Sequence, residues 1–391
     1  FAPSFTPRKL ASIVAAMADH PSFPLVNVAD SPQSKPARCH CISRACLLAT
    51  VRQQWMLPAV ALMAVFGALF PSPGLAVYSI GMPMCTGALF ALQGLRLNLT
   101  EFRHALVAAH VHVLLQTFSL LLTPALYFGA VFHWKWEEAL ITRPYAVGTM
   151  AQMCMPTTAS TSLVFTIQAG GDASAATLNM AGGQMIGAIV APLTVALFLG
   201  ASGSHQDLPH TLWKLCYEIL LPLCGGVLTQ VVLRRSAVGR RVLGVRAWGV
   251  LMITVLLLLF YLIFCKAFGP GSEMPSPTTL LVVIGWETGV HLLLVALAWI
   301  VSWPLAAPRR AMFVLVAPQK TEGLAAALLT IMFDGSPDFS VGELMLPIVV
   351  YHSVQMIFAT ALVPMLRAYV ARRAAPKLEV EPAAEYEALP P

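Results

Sequence analysis

Long apolar runs fill this chain and are separated by short gaps that are polar or marked by Pro and Gly. An α-helix needs roughly 20 apolar residues to cross a bilayer. Ten stretches reach that length, near 53–70, 75–93, 104–128, 145–168, 173–200, 210–233, 246–266, 278–303, 310–333 and 342–370. The pattern predicts an all-α polytopic membrane protein with ten transmembrane helices between residues 53 and 370. Residues 1–52 read as a cytoplasmic or targeting segment, and 371–391 as an acidic cytoplasmic tail; both are too polar or too broken to span.

Composition agrees. Of 391 residues, 58% are hydrophobic and only 11% charged, against about 45–50% apolar and about 25% charged in soluble domains. The net charge of +6 does not indicate nucleic acid, because Lys and Arg lie in small clusters between apolar runs. Those clusters set topology. With both termini cytoplasmic, 19 of the 24 basic residues fall on inside segments, and only Lys135, Arg143, Lys214 and Lys266 fall outside. Lys320 alone interrupts a span. The Asn98-Leu99-Thr100 sequon then lies in an inside loop, away from glycosylation. Eight cysteines are too few for a disulfide scaffold, and Cys39-His40-Cys41 with Cys46 has no second ligand pair to complete a metal site.

Two spans are broken by proline beside a polar cluster. The fourth carries Met155-Pro156-Thr157-Thr158-Ala159-Ser160-Thr161-Ser162, and the ninth Pro318-Gln319-Lys320-Thr321-Glu322. Each proline removes one helical hydrogen bond. Freed carbonyls and clustered hydroxyls survive at membrane depth only against protein or a water-filled cavity. Spans four and nine are each fourth in a set of five, and an odd number of spans per repeat inverts the second copy. Two inverted five-helix repeats with paired discontinuous helices point to a secondary transporter's substrate and ion site. The candidate substrate and ion residues are Thr157, Thr158, Ser160, Thr161, Ser162, Gln319, Lys320, Thr321 and Glu322, joined by the span-interior amides Gln116 and Asn179, which supply either carbonyl ligands or interhelical hydrogen bonds. Glu287 and His291, four apart on span eight, are a candidate proton relay or a pair that satisfies itself. Of His110 and His112, on different faces of span three, at most one reaches the interior. Gly183-xxx-Gly187 reads as close helix packing. No residue set indicates a resident metal, and HExxH, GxSxG and phosphate-loop motifs are absent, so an enzyme is the least favoured reading.

Several motifs carry a family resemblance: Pro156-Thr157-Thr158, Gln168-Ala169-Gly170-Gly171-Asp172, Ala191-Pro192-Leu193, Gln319-Lys320-Thr321 and Leu346-Pro347-Ile348-Val349-Val350-Tyr351-His352. From Trp55 to about Arg367 the chain resembles the bile acid:sodium symporter superfamily, and within it the SBF-like branch of the seventh vertebrate sodium/bile acid cotransporter. The resemblance implies a panel domain (about 53–93 and 210–266) and a core domain (about 104–200 and 278–370) whose fourth and ninth helices cross at their breaks. It implies alternating access, and for this branch a link to calcium regulation at secretory-pathway or plasma membranes; an organelle envelope is the further option. Sodium-coupled members carry Glu and Asn where this chain has Leu315 and Lys320. Losing a hard anionic ligand and gaining an ammonium weakens a sodium site. Lys320 then occupies the vacant cation position as a tethered charge, or takes part in proton coupling. The expected function is transport of a small organic, anionic solute with sodium or a proton as coupling ion; the alternative is a regulator of calcium entry acting on a calcium channel or pump.

Overall fold

A computed structural model describes residues 56–96, 109–134, 140–158, 161–201, 213, 216–243, 247–269, 275–333 and 339–374. Residues 1–52, most of the tail, Cys39-His40-Cys41, Cys46, Asn98-Leu99-Thr100 and the candidate Ser160 lie outside them. Every regular element among the described residues is helical. In chain order these are α1 (Met56–Leu69), α2 (Pro71–Arg96), α3 (Ala109–Thr117), α4 (Thr123–Phe128), α5 (Arg143–Met153), α6 (Thr161–Gln168) and α7 (Ala173–Ala201). There follow α8 (Leu221–Arg234), α9 (Ala237–Leu243), α10 (Ala247–Ala267), α11 (Pro277–Val301), α12 (Ala307–Val316), α13 (Glu322–Phe333) and α14 (Val341–Ala374). Three π-helical segments, Phe118–Leu122, Gly129–His133 and Cys216–Leu220, run directly into or out of these helices.

Seven helical stretches are long and apolar enough to cross a membrane: Pro71–Leu95, His110–His133, Ala173–Leu199, Cys216–Arg234, Ala247–Ala267, Pro277–Val301 and Val341–Arg373. Two expected spans are each divided, 145–168 into α5 and α6 and 310–333 into α12 and α13. The first expected span is the shorter helix α1. Ile80, Leu228, Leu281 and Leu293 stand exposed on these helices, an arrangement suited to lipid and costly in water.

Proline alone does not break a helix here. Pro83, Pro192, Pro347 and Pro364 all sit inside continuous helices. At Pro156 and Pro318 the chain stops being helical because polar residues follow, and other parts of the chain supply partners for the backbone groups set free.

The helices pack in two sets. In the first, α2 packs on α8 and α10, and α10 on α1. In the second, α14 packs on α5, α11, α12 and α13, while α7 packs on α3, α5, α6 and α12. Contact between α10 and α14 joins them. The α2–α8 contact depends on two glycines facing opposite backbones: a Cβ on Gly94 would collide with the Leu223 carbonyl, and one on Gly226 with the Ala91 carbonyl. The Gln168–Asp172 motif is a turn rather than a binding loop. Gly170, at φ +69°, ends α6 in the left-handed conformation that glycine adopts without strain. Asp172 then accepts from the Ala175 N–H at 2.9 Å and pairs with Arg309 at 3.3 Å, tying the start of α7 to the start of α12.

Gly226→Leu should therefore destabilise the protein by about 1–3 kcal/mol, the usual cost of overpacking. Gly225→Leu, at a neighbouring position with open space around it, should not. Thermal melting of the two purified variants checks this, and equal melting temperatures would refute the close approach.

Candidate functional site

The two breaks meet. The Thr321 N–H donates to the Pro156 carbonyl at 3.0 Å, a direct backbone bond between the expected fourth and ninth spans. Around it the freed groups are satisfied from outside their own helices. Gln355 reads both sides of Lys320, its Oε1 accepting from the Lys320 N–H at 2.8 Å and its Nε2 donating to the Lys320 carbonyl at 3.0 Å. The Tyr351 hydroxyl donates to the Pro318 carbonyl at 2.7 Å. Gln184 Nε2 donates to the Thr157 carbonyl at 2.6 Å. Gly187 packs against Pro156 so closely that a Cβ would collide with the proline ring. Gly183 lies against the Gln116 amide in the same way, so the Gly183/Gly187 pair does serve close packing.

Lys320 is fully buried. Its ammonium donates to the Ser119 carbonyl, to the Ser119 hydroxyl at 2.9 Å and to the Met155 carbonyl at 3.1 Å. An ammonium has three donors, and all three are used. Met155 lies just past the end of α5, where carbonyls carry the negative end of the helix dipole. Ser119 lies in the π-helical segment, whose altered register leaves its carbonyl available. The lysine thus sits among oxygens much as a metal cation would. Nothing pairs it with a carboxylate: among the described residues Asp172 is held by Arg309, and Glu322 lies against His352.

Beside the ammonium, the hydroxyls of Thr158, Thr161 and Ser162 gather on Gln319. Thr158 Oγ1 lies 2.6 Å from Ser162 Oγ and 2.9 Å from Thr161 Oγ1, and Gln319 Oε1 accepts from Ser162 at 2.9 Å and Thr158 at 3.2 Å. Leu315 is buried in an apolar cluster with Phe165, Val314, Met356 and Ala359, where a hydrated cation has no partner.

A cavity of about 810 Å³ opens between α10 and α14. Phe260, Phe264 and Phe268 line its α10 side, Tyr145 contributes from α5, and Glu322, Glu343, His352 and Ser353 give it polar character. His352 Nδ1 lies 3.1 Å from a Glu322 carboxylate oxygen and 3.1 Å from Gln355 Nε2. Glu322 occupies the first turn of α13, where the helix dipole favours an anion.

The structure thus brings together Thr158, Thr161, Ser162, Gln319, Lys320, Thr321 and, at the cavity, Glu322. Thr157 is buried beside them. Gln116 and Asn179 stand apart: Gln116 Nε2 donates to the Asn179 carbonyl at 3.0 Å and Asn179 Nδ2 to the Ala175 carbonyl at 2.9 Å, which fastens α3 to α7. Glu287 and His291 have separate partners. Glu287 accepts from the Thr149 hydroxyl, and His291 Nδ1 lies 3.3 Å from the Tyr351 hydroxyl. Because that hydroxyl gives its proton to Pro318, His291 must donate to it, so His291 buttresses the ninth-span break. Of the two histidines on α3, His112 is buried and His110 exposed. Sequence reasoning did not single out Ser119, Gln184 or Gln355; a serine or glutamine within an apolar run gives no sign of which break it serves.

Comparison with known proteins places the chain in a transporter family. The model of the SBF-like CPA transporter family matches residues 54–368. "Sodium/bile acid cotransporter 7" of Danio rerio is 26% identical over 346 residues, covering 84% of this chain and 97% of that protein. The protein of the same name from Rattus norvegicus is 25% identical, covering 84% and 96%. An uncharacterized protein of Pseudomonas aeruginosa is 26% identical over 71% of this chain and 81% of its own length. With several long apolar helices and this match over most of its length, the chain is an integral, multi-pass membrane protein and belongs to the SBF-like CPA transporter family.

Proposed function

We propose that the protein is a secondary transporter of a small organic solute, working by alternating access without a sodium site at the helix crossing. One observation carries the reading: two proline-broken helix pairs meet at a backbone bond beside a large cavity, with a fully bonded ammonium at the junction. On this reading the seven long helices, α1 and the two divided spans make ten crossings in two inverted repeats. α1, α2, α8 and α10 form the panel and the other spanning helices the core, both termini being cytoplasmic. The cavity lies along the boundary of the two sets, where relative movement would expose it alternately to each side.

Lys320 takes the place of a transported cation. Its three oxygen partners and the apolar setting of Leu315 support that role. The expectation of an anionic solute rested on the half-helix N-termini and on this lysine, and the lysine's share of that support is lost: its ammonium is spent on the crossing and Lys320 does not line the cavity. Glu322 and Glu343 in the lining work against an anion there, while the phenylalanines suit an apolar body. Coupling falls instead to a proton at Glu322 and His352. Gln355 is held in one orientation by Lys320, so its amide hydrogen competes with a proton on His352 Nδ1 for the same space. Loading the pair would therefore be felt at the ninth-span break.

Proteoliposomes holding a pH-sensitive dye and challenged with a panel of small organic solutes, bile acids among them, test this. At least one solute should move protons equally well with and without a sodium gradient; a sodium requirement would refute the reading. The alternative role, regulation of a calcium channel or pump, predicts no solute-evoked movement from any member of the panel. Glu322→Gln should abolish proton movement while the protein still inserts and elutes as a single species. Lys320→Met should cost at least ~3 kcal/mol of stability, since it leaves buried acceptors unpaired at the crossing, and should lower flux with it; melting and flux like those of the unaltered chain would remove Lys320 from the mechanism.

A further inference from the structure

At the opposite end of α12 lies a second buried cation, and its setting differs from that of Lys320. Arg310 is only 3% exposed. Its guanidinium carbon stands 3.7 Å from the centre of the Trp299 ring and 4.8 Å from that of Trp303. Nη2 donates to the Trp299 carbonyl at 2.9 Å and Nη1 to the Tyr369 hydroxyl at 3.2 Å. The charge itself is uncompensated: among the described residues no carboxylate comes within ion-pair distance, the nearby Asp172 being held by Arg309. Nε is buried without a hydrogen-bond partner. A buried cation left in this state is expensive unless an anion completes it.

A cavity of about 460 Å³ adjoins this group, lined by Trp303, Ala306, Pro308, Arg310, Tyr369 and Arg373. Two further features favour an anion there. Ala306 precedes α12 and offers no side chain to cap its first turn, so the positive end of the helix dipole faces an uncapped start. Arg373 supplies a second guanidinium, whose carbon lies 5.6 Å from the Tyr369 ring centre. Guanidinium pairs suit the tetrahedral oxygens of phosphate. Trp303, 72% exposed just beyond the long span α11, is the kind of amphipathic ring that settles at a headgroup boundary.

We infer that this cavity binds the phosphate headgroup of an anionic phospholipid, with Arg310 and Arg373 as its ligands, independently of whether the protein transports. Basic pockets between membrane helices are suited to such headgroups. The bound phosphate would brace the outer end of α12, whose inner end leads into the Pro318 break.

Melting of the full chain in phosphatidylcholine nanodiscs, with and without phosphatidic acid, tests the assignment, and native mass spectrometry counts the lipid retained. Phosphatidic acid should raise the melting temperature and remain bound. Arg373→Gln should weaken retention about tenfold, the loss of one charge-assisted contact, whereas Arg372→Gln, outside the cavity, should leave it unchanged. Arg310→Gln should abolish retention; if that variant does not fold, Arg373→Gln decides. No stabilisation by phosphatidic acid, or equal retention by Arg373→Gln and the unaltered chain, would overturn the site. Stabilisation by inorganic phosphate at the same concentration would overturn the lipid assignment in favour of a soluble anion.

Discussion

Everything at the crossing depends on one constraint: a backbone that stops being helical inside hydrocarbon must find its hydrogen-bond partners elsewhere in the protein. Each unmet group would cost several kcal/mol. Here the two breaks answer each other. The Pro156 carbonyl is taken by Thr321, the Met155 carbonyl by Lys320, and the Pro318 carbonyl by Tyr351, while Gln355 closes both sides of Lys320. Neither break is satisfied by its own helix alone. A helix pair that depends on its partner in this way cannot move by itself, so the crossing should behave as one body and any relative motion should fall at the weaker contact between α10 and α14.

The two ends of α12 show how charge is used in a chain with little of it. Lys320, just past the C-terminal end, is fully bonded and closed off. Arg310, in the first turn, is stacked on aromatic rings with only two of its five N–H donors bonded and Nε without a partner. Burial is nearly complete for both, yet the completeness of their hydrogen bonding differs. That difference separates a residue that finishes a structure from one that is finished by a ligand. Glu322 and His352 form a third case, a carboxylate and an imidazole in contact at a cavity wall.

Much of this was legible in the sequence. Apolar run length located the seven long apolar helices, because hydrocarbon thickness fixes how long a span must be. The two broken spans were legible too, because a proline followed by hydroxyls and amides is costly at membrane depth unless the site is built for it. The low charge content made Lys320 conspicuous, and the family resemblance left it two roles, a tethered charge or a proton-coupling group, between which the residues alone did not choose.

What stayed hidden was anything decided by helix rotation. Gln116 and Asn179 read from the sequence as ligand amides or as interhelical bonds, and only packing decides: Gln116 spends its donor on the Asn179 carbonyl across α3 and α7, and Asn179 spends its own on Ala175 within α7. Glu287 and His291 share a helix face at a spacing of four, yet α5 and α14 each take one of them before they can join. Ser119 gives no sign in the sequence of which group it serves; its carbonyl is free for Lys320 because the Thr123 N–H goes to the Phe118 carbonyl in the π-helical register and the next residue, Pro124, has no N–H to give. The lysine explains why that serine matters, and the serine explains why the lysine stays out of the cavity lining. A long side chain anchored across the bundle to α3 leaves the cavity to Glu322 and His352, and so moves the question of coupling from the crossing to its rim.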